Sequence, residues 1–228
     1  MSLVVFEDSS SLGRGAADHL AALITEAPGP RVSVGLAGGS TPAAVYVQLR
    51  ERLVDWSRVD FWLSDERWVP WDHGDSNGKM AQESLVGQVS GRYLRPRWAP
   101  WLEPAEAAAH YEAELRSLHP SDHPPDVIML GMGDDGHCAS LFPGTEALGI
   151  TDRWFVANFV PSLDVWRLTS TYSLLDRARQ IVFMIGGASK AEALARVAKG
   201  EDLPTTRVTN GPSPVTLLVD RAAAAFLG

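Results

Sequence analysis

Four short polar segments carry the residues able to do chemistry in this 228-residue chain. They are Gly38-Gly39-Ser40-Thr41, Asp65-Glu66-Arg67, the loop from Gly131 to His137, and Gly186-Gly187-Ala188-Ser189-Lys190. Each follows a hydrophobic, strand-like run. Together they offer backbone donors, two cations, a carboxylate and a histidine. That set holds an anion and moves a proton. In open α/β sheets, ligands bind beyond the carboxyl ends of the strands, so segments far apart in sequence can share one site.

Strand, Gly-Gly-Ser-Thr-Pro, helix is a ready anion site. Glycine lets the backbone approach closely, and a helix N-terminus presents free N–H groups with partial positive charge. Ser40 and Thr41 add hydroxyls. An ordinary turn with an N-cap explains the same residues. The spacing is not that of a P-loop, which needs Gly-x4-Gly-Lys-Ser/Thr. Lys190 opens a helix, where a cation is unfavourable by roughly 0.3–1 kcal/mol. A bound anion reverses that sign, whereas a solvated surface lysine hardly feels it. Arg67 also stands at a strand end, and arginine suits bidentate phosphate contact. Its competing use is an ion pair with Glu66 or Asp72.

Residues 131–136 match Gly-x-Gly-x-x-Gly directly after a strand, with Asp152 near the distance of a ribose carboxylate. A dinucleotide fingerprint opens a long helix packed on the sheet. Here Pro143-Gly144 arrives too soon, and Asp134, Asp135 and His137 put acidic chemistry where a pyrophosphate needs neutral donors. His137 reads better as a proton carrier, because an ordinary histidine with pKa about 6.5 is largely neutral near pH 7. Asp135, two residues earlier, is placed to fix its tautomer or to hold a substrate hydroxyl. A turn-closing histidine is the bland alternative. Cys138 adjoins His137, but neighbouring side chains point apart, so it reads as a small buried residue. Ser140 lacks a Gly-x-Ser-x-Gly elbow and reads as a cap or packing residue. His119-x3-His123 lies in a proline-bearing connector without a third ligand. Trp68, Trp71 and Trp166 lie near the site segments and offer walls for a sugar, with packing as the commoner use.

The elements that must position these residues alternate. Strands are expected at residues 3–6, 31–37, 59–64, 126–130, 154–160, 180–185 and 215–219. Helices are expected at 15–26, 41–53, 76–86, 105–118, 174–179 and 190–199, with Thr41 as N-cap and Pro42 at the first helical position of the second. Alternation implies an α/β fold: a Rossmann-like open, mainly parallel sheet with helices on both faces. The length, and a composition of 45% hydrophobic and 21% charged residues, suit one globular domain over residues 1–228. A net charge of −8 argues against nucleic acid, whose phosphates need a basic face. The single cysteine excludes an internal disulfide and a Cys-based zinc site. No apolar run reaches the ~18 residues of a membrane span. A cytoplasmic monomer without membrane contact is expected.

In order and spacing these segments resemble 6-phosphogluconolactonases, within the group that includes glucosamine-6-phosphate deaminases. The carrying stretches are GLAGGSTPAAVY from Gly35, SDERWVP from Ser64, DSN from Asp75, LGMGDDGHCASLFPG from Leu130, Arg167-Leu168-Thr169, and GGASKAEAL from Gly186. Deaminases are similar through Asp-Gly-His and diverge at Ser140-Leu141-Phe142-Pro143. The resemblance implies hydrolysis of 6-phospho-D-glucono-1,5-lactone to 6-phosphogluconate, in the oxidative pentose phosphate pathway, without cofactor or catalytic metal. It implies His137 as general base, phosphate contact by Arg67, Lys190 and the Gly38, Gly39, Ser40, Thr41 loop, and Asp65 and Asp135 lining the site. Arg167 matches a recurring arginine. A deaminase or isomerase with Asp65 as carbon-acid base, and a non-catalytic sugar-phosphate sensor, are the alternatives.

Overall fold

Period-two alternation in the buried strands decides where the helices go. In β6 (Val127–Leu130), Val127 and Met129 join one hydrophobic cluster, and Ile128 and Leu130 join another. A strand buried on both faces needs cover on both. The computed structural model, which describes residues 1–227, shows that cover. Helices α1 (Ser9–Glu26), α2 (Ser40–Leu49) and α3 (Asn77–Ser84) supply Leu12, Leu20, Tyr46 and Ala81 to one cluster. Helices α4 (Pro104–Leu118), α6 (Ala191–Ala198) and α7 (Pro204–Thr209) supply Tyr111, Leu194 and Val208 to the other. The short α5 (Tyr172–Leu175) leads into β9 (Gln180–Ile185).

The main sheet also contains β1 (Ser2–Phe6), β2 (Val32–Leu36), β3 (Val59–Leu63), β5 (Arg92–Tyr93) and β10 (Val215–Asp220). Its order is β1-β10-β9-β6-β2-β3-β5, and every neighbouring pair is parallel. The chain steps outward from β2 to β3, then returns to the other side of β2 for β6. That reversal opens a crevice between the carboxyl ends of β2 and β6. The open parallel sheet with helices on both faces is the one expected, and β1 lies at its edge. No helix is long and apolar enough to cross a membrane among the described residues.

Residues 154–160 do form a strand, β7 (Phe155–Val160), but not in this sheet. With β4 (Asp65–Arg67) and β8 (Val165–Ser170) it makes a separate antiparallel sheet of order β4-β8-β7. Ser64 is the step between the layers. Its N–H and Oγ both donate to Leu36 O (2.9 and 2.8 Å), while its carbonyl accepts from Ser170 N–H at 2.9 Å. Asp65 and Arg67 are thereby lifted over the strand ends, on the same face of β4 by period-two alternation.

Helices α1 and α2 differ from expectation at their ends, and α5 lies at Tyr172–Leu175 rather than at 174–179. Helix α1 begins at Ser9, because Asp8 closes a capping box: its carboxylate accepts from Ser11 N–H (2.7 Å) and Ser11 Oγ accepts from Asp8 N–H (3.0 Å). Helix α2 begins at Ser40, with Gly39 rather than Thr41 as N-cap, and stops at Leu49 rather than near Leu53. Leu53 is fully exposed, so packing gives no reason to extend it.

At the opposite end of the sheet, His119 is buried in a fixed network. Trp62 Nε1–H donates to Ser33 Oγ (2.9 Å), so the Ser33 hydroxyl is free to donate to His119 Nε2, and Nδ1–H donates to Leu115 O (3.0 Å). A proton added at Nε2 would face a donor. Burial lowers this pKa to about 4. The unfolded chain binds that proton below about pH 6.5 and the native state does not, so stability falls as pH drops from 6.5 towards 4. The expected loss is about 3 kcal/mol from this group. Urea titrations at pH 7 and 4.5 check it. His119→Asn, though weaker at both, should lose much less between them than the parent chain does.

Candidate active site

A cavity of about 220 Å³ opens at the crevice between β2 and β6, and all four polar segments line it. Gly38, Gly39, Ser40 and Thr41 come from the end of β2, and Asp65 and Arg67 from β4. Gly131, Gly133 and His137 follow β6, and Lys190 follows β9. Arg167 and Asp135 are not on this wall. Asp135 bonds the His137 ring, and Arg167 pairs with Arg67 across the β4–β8 register.

One side is built for an anion. Gly39 takes φ 108° and Gly187 takes φ 94°, a region that favours glycine, so each strand can turn sharply into the helix that follows. In α2 the first N–H to bond back along the chain is that of Ala43, to Gly39 O at 3.0 Å. The earlier N–H groups of Ser40 and Thr41 have no intrahelical acceptor and meet the cavity. Arg67 does not pair with Glu66 or Asp72. Its Nη1 donates to the Asp75 carbonyl at 2.7 Å. Glu66 lies beneath the strand and accepts from the N–H groups of Arg67 (2.8 Å), Asn77 (2.7 Å) and Gly78 (2.7 Å) and from Ser76 Oγ (3.1 Å). Burial still raises its pKa despite those donors. Glu66 thus ties the start of α3 to β4 and fixes where Arg67 emerges.

Arg167 pairs with Arg67 across the β4–β8 register. Neither guanidinium meets a carboxylate within 4.0 Å among the described residues. Burial, then the charge of Arg67, lowers the pKa of Arg167. Two unneutralised cations at one rim raise the local potential towards an anion. Lys190 does have a partner. Its Nζ bonds the carboxylate of Asp134, which also accepts from Ser189 Oγ at 3.2 Å. That contact, more than any other, lowers the Asp134 pKa.

The other side is built around His137. Asp135 Oδ1 accepts from Nδ1 at 2.6 Å and from the His137 backbone N–H at 3.1 Å. Burial of Asp135 raises its pKa, but the hydrogen bonds from His137 outweigh that and the net direction is down. The carboxylate therefore stays ionised at neutral pH and fixes the proton of a neutral imidazole on Nδ1. Nε2 is left as the acceptor, with no protein partner among the described residues. Phe142 stacks on the ring, centroids 3.9 Å apart and planes 27° from parallel. Gly133 is needed for this packing, since a Cβ there would fall 2.1 Å from Nδ1. No helix follows Gly136. The chain folds into a tight turn in which Cys138 bridges Leu141, so the glycine pattern serves the histidine rather than a dinucleotide.

The comparisons with known proteins decide the family. The model described as glucosamine-6-phosphate isomerases/6-phosphogluconolactonase matches residues 7–217. The chain belongs to this family. It is 36% identical over 206 residues to a 6-phosphogluconolactonase of Nostoc, covering 86% of this chain and 85% of that one. The structure of 6-phosphogluconolactonase from Trypanosoma brucei superposes with a TM-score of 0.87 at 28% identity, covering 100% of this chain and 98% of the other. A monomeric glucosamine-6-phosphate deaminase superposes at 0.82 with 26% identity, covering 99% and 100%.

Within this family frame, three contributors to the site went unread in the sequence. Ser140, expected to cap or pack, donates its hydroxyl to Asp65 Oδ2 at 2.7 Å. Asn77 donates to Asp65 Oδ1 at 3.2 Å. Phe142 is the stacking platform of His137. Neither Ser140 nor Asn77 is near Asp65 in sequence, so spacing carried no signal for them. Cys138 is buried, and burial pushes its thiol up to about 12, which suits a packing residue rather than a nucleophile. Trp68, Trp71 and Trp166 do not reach this cavity.

Proposed function

We propose that the chain hydrolyses 6-phospho-D-glucono-1,5-lactone to 6-phospho-D-gluconate, the lactone-opening step of the oxidative pentose phosphate pathway. The observation that carries this reading is the sharing of one cavity by the His137 ring and the Arg67 and Lys190 cations. The phosphate sits on the Ser40 and Thr41 N–H groups with Arg67 and Lys190, and Arg167 adds charge beside Arg67. Asp65 accepts a ring hydroxyl. Nε2 of His137 removes a proton from water as that water attacks the lactone carbonyl. A lactone is an activated ester, so water suffices as nucleophile once a base is placed, and a positioned base contributes about 10²–10⁴-fold. The carbonyl oxygen gains charge and needs a donor. The Gly136 N–H already donates to Gly133 O at 3.0 Å, which leaves the Gly38-Gly39 backbone as the better-placed candidate.

The deaminase reading needs Asp65 as a base towards a carbon acid. The Ser140-Leu141-Phe142-Pro143 stretch, where deaminases diverge, holds Asp65 through the Ser140 hydroxyl and stacks Phe142 on His137, and that favours the hydrolase. An assay on freshly generated 6-phosphogluconolactone, with spontaneous hydrolysis subtracted, tests the proposal. Ammonia release from glucosamine 6-phosphate without lactone turnover would replace it by the alternative.

The phosphate assignment has its own test. Arg67→Met and Lys190→Met are each expected to raise KM for the phospholactone about tenfold or more, as loss of a charge-assisted contact should. The Lys190 effect is the larger, because the same change leaves the Asp134 carboxylate unpaired at the rim, where it repels the phosphate. An unchanged KM in both variants removes the phosphate role.

A further inference from the structure

Beside this cavity, and sharing Arg67 with it, lies a wider groove of about 660 Å³. Its walls are aromatic: Trp68, Trp71, Tyr93, Trp98 and Trp101. The Trp68 and Trp98 rings stand 6.3 Å apart, tilted by 51°. Arg95 sits 3.2 Å over the Trp71 ring. Trp101 is 84% exposed. Trp68, Trp71 and Trp98 are half-buried, each leaving part of an indole towards the groove, and an aromatic surface of this kind suits a flat ligand.

The charge of the groove runs against that of the molecule. Arg67, Arg95 and Arg97 line it against the carboxylates of Glu66 and Glu114, in a chain of net charge −8. Arg97 approaches one carboxylate, Glu114, at 3.9 Å, and Arg95 approaches none among the described residues. Glu66 at the groove floor is occupied by its four donors. Aromatic faces bind flat π-systems, and arginines bind phosphates by charge and by paired N–H groups. A cavity of this size, apolar with a few cationic groups, fits a ligand carrying both.

The geometry points to a nucleotide site. The base stacks on Trp98 and Trp101, and the phosphates turn towards Arg95, Arg97 and, at the inner end, Arg67. A nucleoside diphosphate fits this chemistry. Because Arg67 belongs to both cavities, such a ligand competes with the sugar phosphate. It raises the apparent KM and leaves kcat unchanged. The binding itself does not depend on the proposed reaction; only the competition does.

Calorimetric titration of the intact chain with ADP, adenosine and orthophosphate separates the contributions. ADP is expected to bind at least tenfold more tightly than either fragment. Trp101→Ala and Arg97→Ala should each weaken ADP about tenfold, with kcat and KM for the lactone unchanged, since neither residue touches the first cavity. No measurable ADP binding at millimolar concentration overturns the site. So does an ADP affinity in both variants equal to that of the parent chain, and so does orthophosphate binding as tightly as ADP. Loss of lactone turnover in the parent chain with ADP binding intact would defeat the hydrolase reading and leave this one standing.

Discussion

His137→Ala is expected to lower turnover of 6-phosphogluconolactone by about 10²–10⁴-fold, the range a positioned base supplies, while 6-phosphogluconate still binds. The two halves of that outcome follow from different parts of the cavity. Nε2 is the imidazole nitrogen without a protein partner, so the proton-accepting step is lost with the ring. The anion side is built from α2, β4 and Lys190, none of which His137 supports. Alanine also leaves the backbone N–H that Asp135 accepts and the carbonyl that Gly133 N–H uses (2.8 Å), so the loop keeps its shape. The ring does pack on Phe142, and its loss opens a gap there. His137→Gln fills more of that gap without a usable base, and should be as inactive as the alanine variant. Near-normal turnover in either, after subtraction of spontaneous hydrolysis, would remove the general-base mechanism. Lost activity together with lost product binding would point to a collapsed loop instead.

The parts of this molecule that follow a local period were legible in the sequence. Buried runs such as residues 180–185, and the 3.6-residue spacing of α4, specified their elements because each is stabilised by its own face. The four polar segments could be placed at strand ends for the same reason, and the cavity brings them together. What escaped was the antiparallel sheet. Its strand β4 has three residues, Asp65, Glu66 and Arg67, with no apolar member. It exists because Ser64 hands the chain from one layer to the other and β8 pairs with it. Those are long-range hydrogen bonds, invisible to any window of neighbouring residues. Asp65–Ser140 and Lys190–Asp134 are contacts of the same kind, made between chain segments 75 and 56 residues apart. Asp8 was legible in principle, since Asp-x-x-Ser before a helical run is a capping pattern. Its small size beside the stronger Ala-rich signal hid it.

Asp135 is best understood by comparing two substitutions that remove different things. A single oxygen, Oδ1, accepts both the Nδ1 and the backbone N–H of His137. Asparagine can keep an oxygen at that point, so Asp135→Asn can preserve the ring's orientation and its Nδ1–H tautomer. What it loses is the negative charge. In the proposed mechanism that charge matters only as Nε2 takes a proton from water and the ring becomes cationic. A charge-assisted hydrogen bond exceeds a neutral one by about 1–2 kcal/mol, so kcat should fall about 5- to 30-fold with KM unchanged. Asp135→Ala loses the charge and the orientation together. The imidazole is then free to carry its proton on Nε2, where it cannot act as a base, and kcat should fall by about 10²–10³-fold. Neither substitution touches the phosphate side. A proton NMR signal for a slowly exchanging Nδ1–H, kept in the asparagine variant and lost in the alanine one, would tie the kinetic split to the tautomer. Equal losses in the two variants would show that charge alone matters. A kcat within twofold of the parent for Asp135→Ala would mean that Phe142 and the loop orient His137 without its carboxylate.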